Sequence, residues 1–274
     1  MLGPMSPTAK QAARTAKNNS VVRGFARAGF VASGLLHILI GLIAIALATG
    51  TSEGREADQS GAFAELAHAP GGQFLLWAAA ICFAALGLWL LLSAFLDRSW
   101  EGARARATHI VENVVKGVVY LVLAYTAYVF ANGSGASSAQ STSEFGAKLL
   151  STPGGIFLVV AIGLALLGVG GFMVFKGVTQ RFDRDIRVPS GARGTAVRVL
   201  GVVGYIARGV ALGAVGVLFI VGASTNDPGK TTGLDGALKA FLSVPFGAFV
   251  LIAIGVGWIA YGIYAFFRAR LALL

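Results

Sequence analysis

Pro153-Gly154-Gly155-Ile156-Phe157 opens a run that stays apolar to residue 175, and two other runs open alike, at Pro70-Gly71-Gly72-Gln73-Phe74 and Pro245-Phe246-Gly247-Ala248-Phe249. Superposed on the proline, the three runs keep register without gaps. Small residues recur ten positions on, at Ala80, Gly163 and Gly255, and seventeen positions on, at Gly87, Gly170 and Gly262. Residues seven apart are two turns apart on one helix face. Each of these runs is preceded by an apolar partner with columns of its own. Gly34, Gly117 and Gly209 superpose, followed at the seventh position by Gly41, Ala124 and Gly216 and at the fourteenth by Ala48, Ala131 and Ala223. The chain therefore reads as three copies of a two-helix unit. Small faces let membrane helices approach closely, where dispersion and Cα–H to carbonyl contacts replace the hydrophobic effect that lipid cancels. These columns are expected to form the bundle interior, together with the GxxxG pair Gly209 and Gly213.

The apolar runs lie near 25–48, 73–96, 110–131, 155–178, 199–223 and 247–267. Each is long enough for the roughly 20 helical residues that cross about 30 Å of hydrocarbon. Of 274 residues, 56% are hydrophobic and 12% charged, too apolar for a water-facing exterior. The polar/apolar alternation of a membrane β-barrel is absent, so backbone groups in lipid must be satisfied within helices. The expected fold is an all-α membrane protein with six transmembrane helices, arranged as three pseudo-threefold-related two-helix repeats in a closed bundle. Residues 1–22 form a basic segment, and the copies occupy 23–98, 107–182 and 197–270. Short mixed segments precede each even span: Phe63-Ala64-Glu65-Leu66, 145–150 and 238–242. They read as interfacial helices, with the proline at the entry of the span, where its missing N–H costs nothing.

Orientation follows from the basic residues. Lys10, Arg14, Lys17 and Arg23 precede the first span; Arg98, Arg104 and Arg106 follow the second; Arg181, Arg184, Arg187, Arg193 and Arg198 follow the fourth; Arg268 and Arg270 end the sixth. The other three loops carry only Arg55, Lys148, Lys230 and Lys239, and the first of them is acidic, with Glu53, Glu56, Asp58 and Glu65. Both termini are expected on the cytoplasmic side of a bacterial inner membrane. Ala46-Leu47-Ala48 imitates a signal-peptidase site, but the run before it is longer than a signal core, and cleavage would destroy the first repeat.

Ala26-Arg27-Ala28-Gly29-Phe30-Val31-Ala32-Ser33-Gly34 and Gly204-Tyr205-Ile206-Ala207-Arg208-Gly209-Val210 share an aromatic-x-Ala-Arg-Gly-like opening. On these residues the chain resembles, over about 21–270, the bacterial family of the domain of unknown function numbered 1206, usually three two-helix copies. The first copy has Ser33 where the third has Arg208, and the second keeps Lys116-Gly117. The resemblance implies integral-membrane status and brings no activity, cofactor or catalytic residue.

Candidate ligand residues are few. Arg208 and Lys116 align with each other one to two turns inside the basic boundary, with Glu112 four residues before Lys116. Ionisable groups at such depth are expensive and mark sites; snorkelling to lipid phosphates and an i,i+4 pair are the bland alternative. Snorkelling is the favoured of the two readings; a site here would take an anionic lipid or a substrate anion on the cytoplasmic side. His37 and Tyr120 share a column on the small face and point inward, as packing residues or near a transport path. The single cysteine, Cys82, lies in an apolar run and excludes an intrachain disulfide or CxxC site. No metal, cofactor or catalytic constellation is expected, so the chain is read as no enzyme. The net charge of +10 comes without a nucleic-acid-binding motif. A structural, accessory or lipid- or partner-binding role is expected, with a small-solute or ion transporter as the alternative.

Overall fold

The structure, a computed structural model, describes residues 20–51, 54–96, 103–135 and 137–272. Lys10, Arg14 and Lys17 of the basic segment, Glu53 and Arg98 lie outside the described residues. The described chain folds into helices α1 (Ser20–Ala48), α2 (Gln59–His68), α3 (Gly72–Leu96), α4 (Ala103–Ala131), α5 (Ser138–Leu150), α6 (Gly155–Val178), α7 (Ala192–Thr225), α8 (Gly233–Phe241) and α9 (Gly247–Leu271), with 3-10 turns at Arg181–Asp185 and Pro228–Lys230. Helices α1, α3, α4, α6, α7 and α9 are long and apolar enough to cross a membrane. They match the six apolar runs. α2, α5 and α8 are the short helices expected before each even span.

The entry to each even span repeats one turn. The backbone N–H of Gly72, Gly155 and Gly247 donates to Ala69 (2.8 Å), Thr152 (2.9 Å) and Val244 (3.0 Å). A Cβ at these glycines would land on the carbonyl oxygen of Leu66, Leu149 or Phe241, so glycine is required by close approach of the short helix. The residue before it is left-handed in all three copies: Gly71 at φ +73°, Gly154 at +79° and Phe246 at +60°. Only the third copy places a side chain there, and that side chain is exposed. Phe246→Gly is expected to raise stability by about 1 kcal/mol, the left-handed penalty of a non-glycine residue, seen as a higher melting temperature in detergent.

Each even span packs most closely not on its own partner but on the odd span that follows: α3 on α4, α6 on α7, and α9 back on α1. The glycine columns lie in these seams and not, as their spacing suggested, around a common interior. Cβ atoms built on Gly170 and Gly209 would lie 2.7 and 2.6 Å from each other's carbonyl oxygen, and Gly163 and Gly216 oppose each other likewise at 2.8 and 2.7 Å. Gly41 with Gly255, Gly34 with Gly262 and Gly87 with Gly117 repeat the contact in the other two seams. Gly213 departs from this expectation, since its Cβ would have one neighbour, Leu167 at 4.0 Å.

The bundle is also not the closed ring that the repeat suggested. Within a copy, α7 touches α9 and α1 touches α3, whereas α4 and α6 have next to no contact.

The end that carries α2, α5 and α8 is bound together by polar groups. The Ala57 N–H donates to Asp235 Oδ1 at 2.8 Å, linking the approach to α2 with α8. Ser60 bonds Ser138, and Ser137 bonds Glu56, joining α2 to α5. Ser143 donates to the Pro228 carbonyl at 3.0 Å, joining α5 to the turn before α8. Beneath this layer Phe63 packs against Phe83 and Phe130 in the largest apolar core.

Asp58 caps α2, accepting from the N–H groups of Ser60 (2.8 Å) and Gly61 (3.2 Å). Burial, with the nearby Glu56 and Asp235 carboxylates, pushes its carboxyl up to about 7 against those two bonds. A raised carboxyl pKa means the folded chain holds a proton that the unfolded chain releases at about 4, so this contribution is full below pH 4 and is lost as pH rises through 7. The melting temperature is expected to fall across that window. Asp58→Asn, which keeps an accepting oxygen for the cap, should flatten the dependence.

Candidate functional site

At the opposite end the helices bring together the basic side chains. Arg208 on α7, Lys116 on α4 and Ser33 on α1 superpose in the odd-span register; Arg268 on α9, Lys176 on α6 and Ser93 on α3 superpose in the even-span register. One copy thus supplies two arginines, one two lysines and one two hydroxyls. All four cations act electrostatically on the Tyr261 phenol, and Lys116 feels both Lys176 and Arg268.

The lysine half is neutralised. Lys116 Nζ lies 2.5 Å from Glu112 Oε1, and Lys176, itself buried, lies 3.3 Å from the same oxygen and 2.8 Å from Asp185 Oδ2. Asp185 arrives on the 3-10 turn after α6. That turn folds inward because Phe182 is fully buried, stacked 5.3 Å from Tyr205 over Gly201, while Arg187 N–H bonds the Leu271 carbonyl at 2.9 Å.

The arginine half has no carboxylate partner among the described residues. The Arg208 guanidinium lies over the Tyr261 ring at 4.2 Å, and that of Arg268 over Phe30 at 4.7 Å. Lys176 stands over Tyr205 at 5.6 Å. Phe30 and Tyr205 hold equivalent positions, the aromatic of the motif at the start of the odd spans. The motif's aromatic therefore carries the cation of the preceding even span, a cation–π contact of about 0.5–2 kcal/mol. Arg268 Nε, Tyr264 Oη and Trp258 Nε1 are buried donors with no protein acceptor among the described residues. Buried donors without acceptors cost free energy unless something supplies an acceptor.

The structure brings His37 and Tyr120 into this group. His37 Nδ1 lies 2.6 Å from the Ser33 carbonyl, which accepts its proton, and the ring packs 4.8 Å from Tyr261 and 5.5 Å from Trp258. Tyr120 Oη donates to Ser33 Oγ at 3.4 Å. All five sequence candidates, Arg208, Lys116, Glu112, His37 and Tyr120, fall at this end. Lys176, Arg268, Asp185, Ser33, Tyr205, Tyr261 and Tyr264 were not among them. For Lys176 and Arg268 the signal existed, in the proline-anchored register that places them in one column. Asp185 had none, since its place depends on how a loop folds.

The arrangement is a polar cluster with excess positive charge at membrane depth, walled by aromatic rings and rich in donors. It is chemically suited to an anion whose oxygens only accept.

Comparison with known proteins gives three equal, consecutive matches. The family model described as Domain of Unknown Function (DUF1206) matches residues 28–97, 111–180 and 203–272, in the register that superposes the cation columns. The uncharacterized protein YxxB of Bacillus subtilis (strain 168) is 32% identical over 256 residues, covering 90% of each chain. No solved structure matches. Three end-to-end copies of the family domain, each a pair of spans, account for nearly all of the helical bundle, and the chain belongs to the DUF1206 family, as a multi-pass membrane protein with three internal repeats.

Proposed function

We propose that the chain is a protein of the bacterial plasma membrane, with both termini on the cytoplasmic face, that binds an anionic lipid at its basic end and performs no catalysis. The observation that carries this reading is the pair Arg208 and Arg268, held against aromatic rings at membrane depth without a carboxylate partner among the described residues. An uncompensated cation there costs several kcal/mol unless an anion meets it. A lipid phosphate arriving from the inner leaflet supplies that anion. The basic loops at this end and the acidic first loop at the other support the orientation. The alternative of a solute pathway past His37, Tyr120 and Arg208 is disfavoured by the far end. There α2, α5 and α8 are tied to one another above the Phe63–Phe83–Phe130 cluster.

The test is native mass spectrometry of the protein released from mild detergent after incubation with phosphatidylglycerol. The unmodified chain is expected to keep one lipid. Arg208→Ala combined with Lys116→Ala is expected to lose it by tenfold or more, since charge-assisted bonds are worth about 1.5–3 kcal/mol each. Equal adducts in both, or none in either, would remove the proposal.

A further inference from the structure

The second copy differs from the other two for a reason visible in the side chains. In the first copy α1 meets α3 at Gly29, whose Cβ would lie 2.6 Å from Leu86 Cβ and 2.8 Å from the Cys82 carbonyl oxygen. In the third, α7 meets α9 at Gly204, whose Cβ would lie 2.6 Å from Tyr261 Cβ, and Gly257 abuts Ala207 one turn further on. The equivalent positions of α4 hold Glu112, in place of Gly29 and Gly204, and Val115, in place of Ala32 and Ala207. Side chains of that size cannot enter a contact that already excludes a single Cβ. α4 therefore stands off from α6.

The faces left apart are apolar and uncovered. Ala165 and Gly168 of α6, counterparts of the buried Gly257 and Ala260, are exposed, and a Cβ on Gly168 would meet nothing within 4 Å. Val115 is 53% exposed, and α4 and α6 are the least buried of the six spans. At the basic end of this opening stand Lys116 and Lys176, which Glu112 bridges across the gap. Near them on α9 are Arg268 and Tyr264, whose buried Nε and hydroxyl have no partner among the described residues.

We propose that the opening between α4 and α6 is the lateral berth of the lipid: one acyl chain lies against Val115, Ala165 and Gly168, and the phosphate reaches Lys116, Lys176 and the arginines of the cluster. This deepens the reading above and rests on it. The occupant is a lipid because the apolar faces run directly into a cluster of excess positive charge, which matches an anionic amphiphile end to end. Glu112 has two roles: its bulk holds the berth open, and its carboxylate competes with the phosphate for the lysines.

Two variants that remove the same charge separate these roles. Glu112→Gln keeps the bulk and removes the competitor, so retention of phosphatidylglycerol over phosphatidylcholine in native mass spectrometry should rise several-fold. Glu112→Gly with Val115→Ala copies the first and third repeats and lets the helices close, so retention should fall by tenfold or more. In the unmodified chain, phosphatidylglycerol carrying a diazirine in its acyl chain should label Val115, Ala165 and Gly168. Wild-type retention by the closing variant, while Arg208→Ala with Lys116→Ala still loses the lipid, would overturn the berth and leave the anion site standing. Loss of retention in neither would overturn both. Should the closing variant fail to fold, the labelling decides, and tags confined to helices other than α4 and α6 would refute the berth. Lipid-free dimers disulfide-linked through Gly168→Cys would assign the face to a second copy of the chain instead.

Discussion

Gly170→Leu should unfold the bundle at temperatures where the unmodified protein is stable, with a loss of about 3 kcal/mol or more. At this position even a Cβ would lie 2.7 Å from the Gly209 carbonyl oxygen and 2.9 Å from the Gly213 backbone nitrogen, so the obstruction is backbone and cannot rotate away. Overpacking in a well-packed core costs about 1–3 kcal/mol when side chains can yield; here two helices must separate along their whole contact. In a membrane that separation forfeits the dispersion and Cα–H contacts that hold the pair, with no hydrophobic effect to compensate. Gly213→Ala, in the same GxxxG pair as Gly209, should be nearly neutral because its side faces space. A thermal melt in detergent, monitored by tryptophan fluorescence, distinguishes the two. Comparable losses at both positions would mean that the α6–α7 seam is not the contact described.

The second large effect is expected at Lys176. Its ammonium is buried, 3.3 Å from Glu112 and 2.8 Å from Asp185, and it joins α4 and α6 to the turn that follows α6. Lys176→Ala leaves Asp185 without its partner and Glu112 with Lys116 alone. The carboxylate left behind is a third exposed, so the loss is about 1–3 kcal/mol, below that of a fully buried pair. Lys176→Ala with Asp185→Asn should recover much of this loss, since the charge left behind is removed with its partner. A double-mutant cycle on the melting temperature measures the coupling. Additive losses would show that Lys176 and Asp185 do not act as a unit.

Spans, repeats, short entry helices and glycine columns were legible because each depends on local spacing: apolar length, the proline at the entry, small residues every seventh position. The seams were less so. Spacing states which face of a helix is small, but not which neighbour it meets, so the glycines pointed to a shared interior when they join each even span to the next odd one. The open side of the second copy was written in Glu112 and Val115, yet it becomes readable only when Gly29 and Gly204 are seen in contact. The site was half legible. Arg208 and Lys116 stood out by depth, and Glu112 by its spacing to Lys116. Arg268 was absorbed into the basic end of its helix, and Lys176 was hidden at the end of a long apolar run. Asp185 belongs to a loop whose position depends on Phe182 finding its place against Tyr205, a tertiary event that local pattern does not encode.

Lipid binding between α4 and α6 is tested most directly by a crystal structure grown from a lipidic mesophase containing phosphatidylglycerol brominated in its acyl chains. Anomalous bromine peaks are expected between α4 and α6, with phosphate density within hydrogen-bonding distance of Lys116, Lys176, Arg208 or Arg268. Bromine only on the outer surface of the bundle, with these four cations bonded to protein groups alone, would contradict such binding.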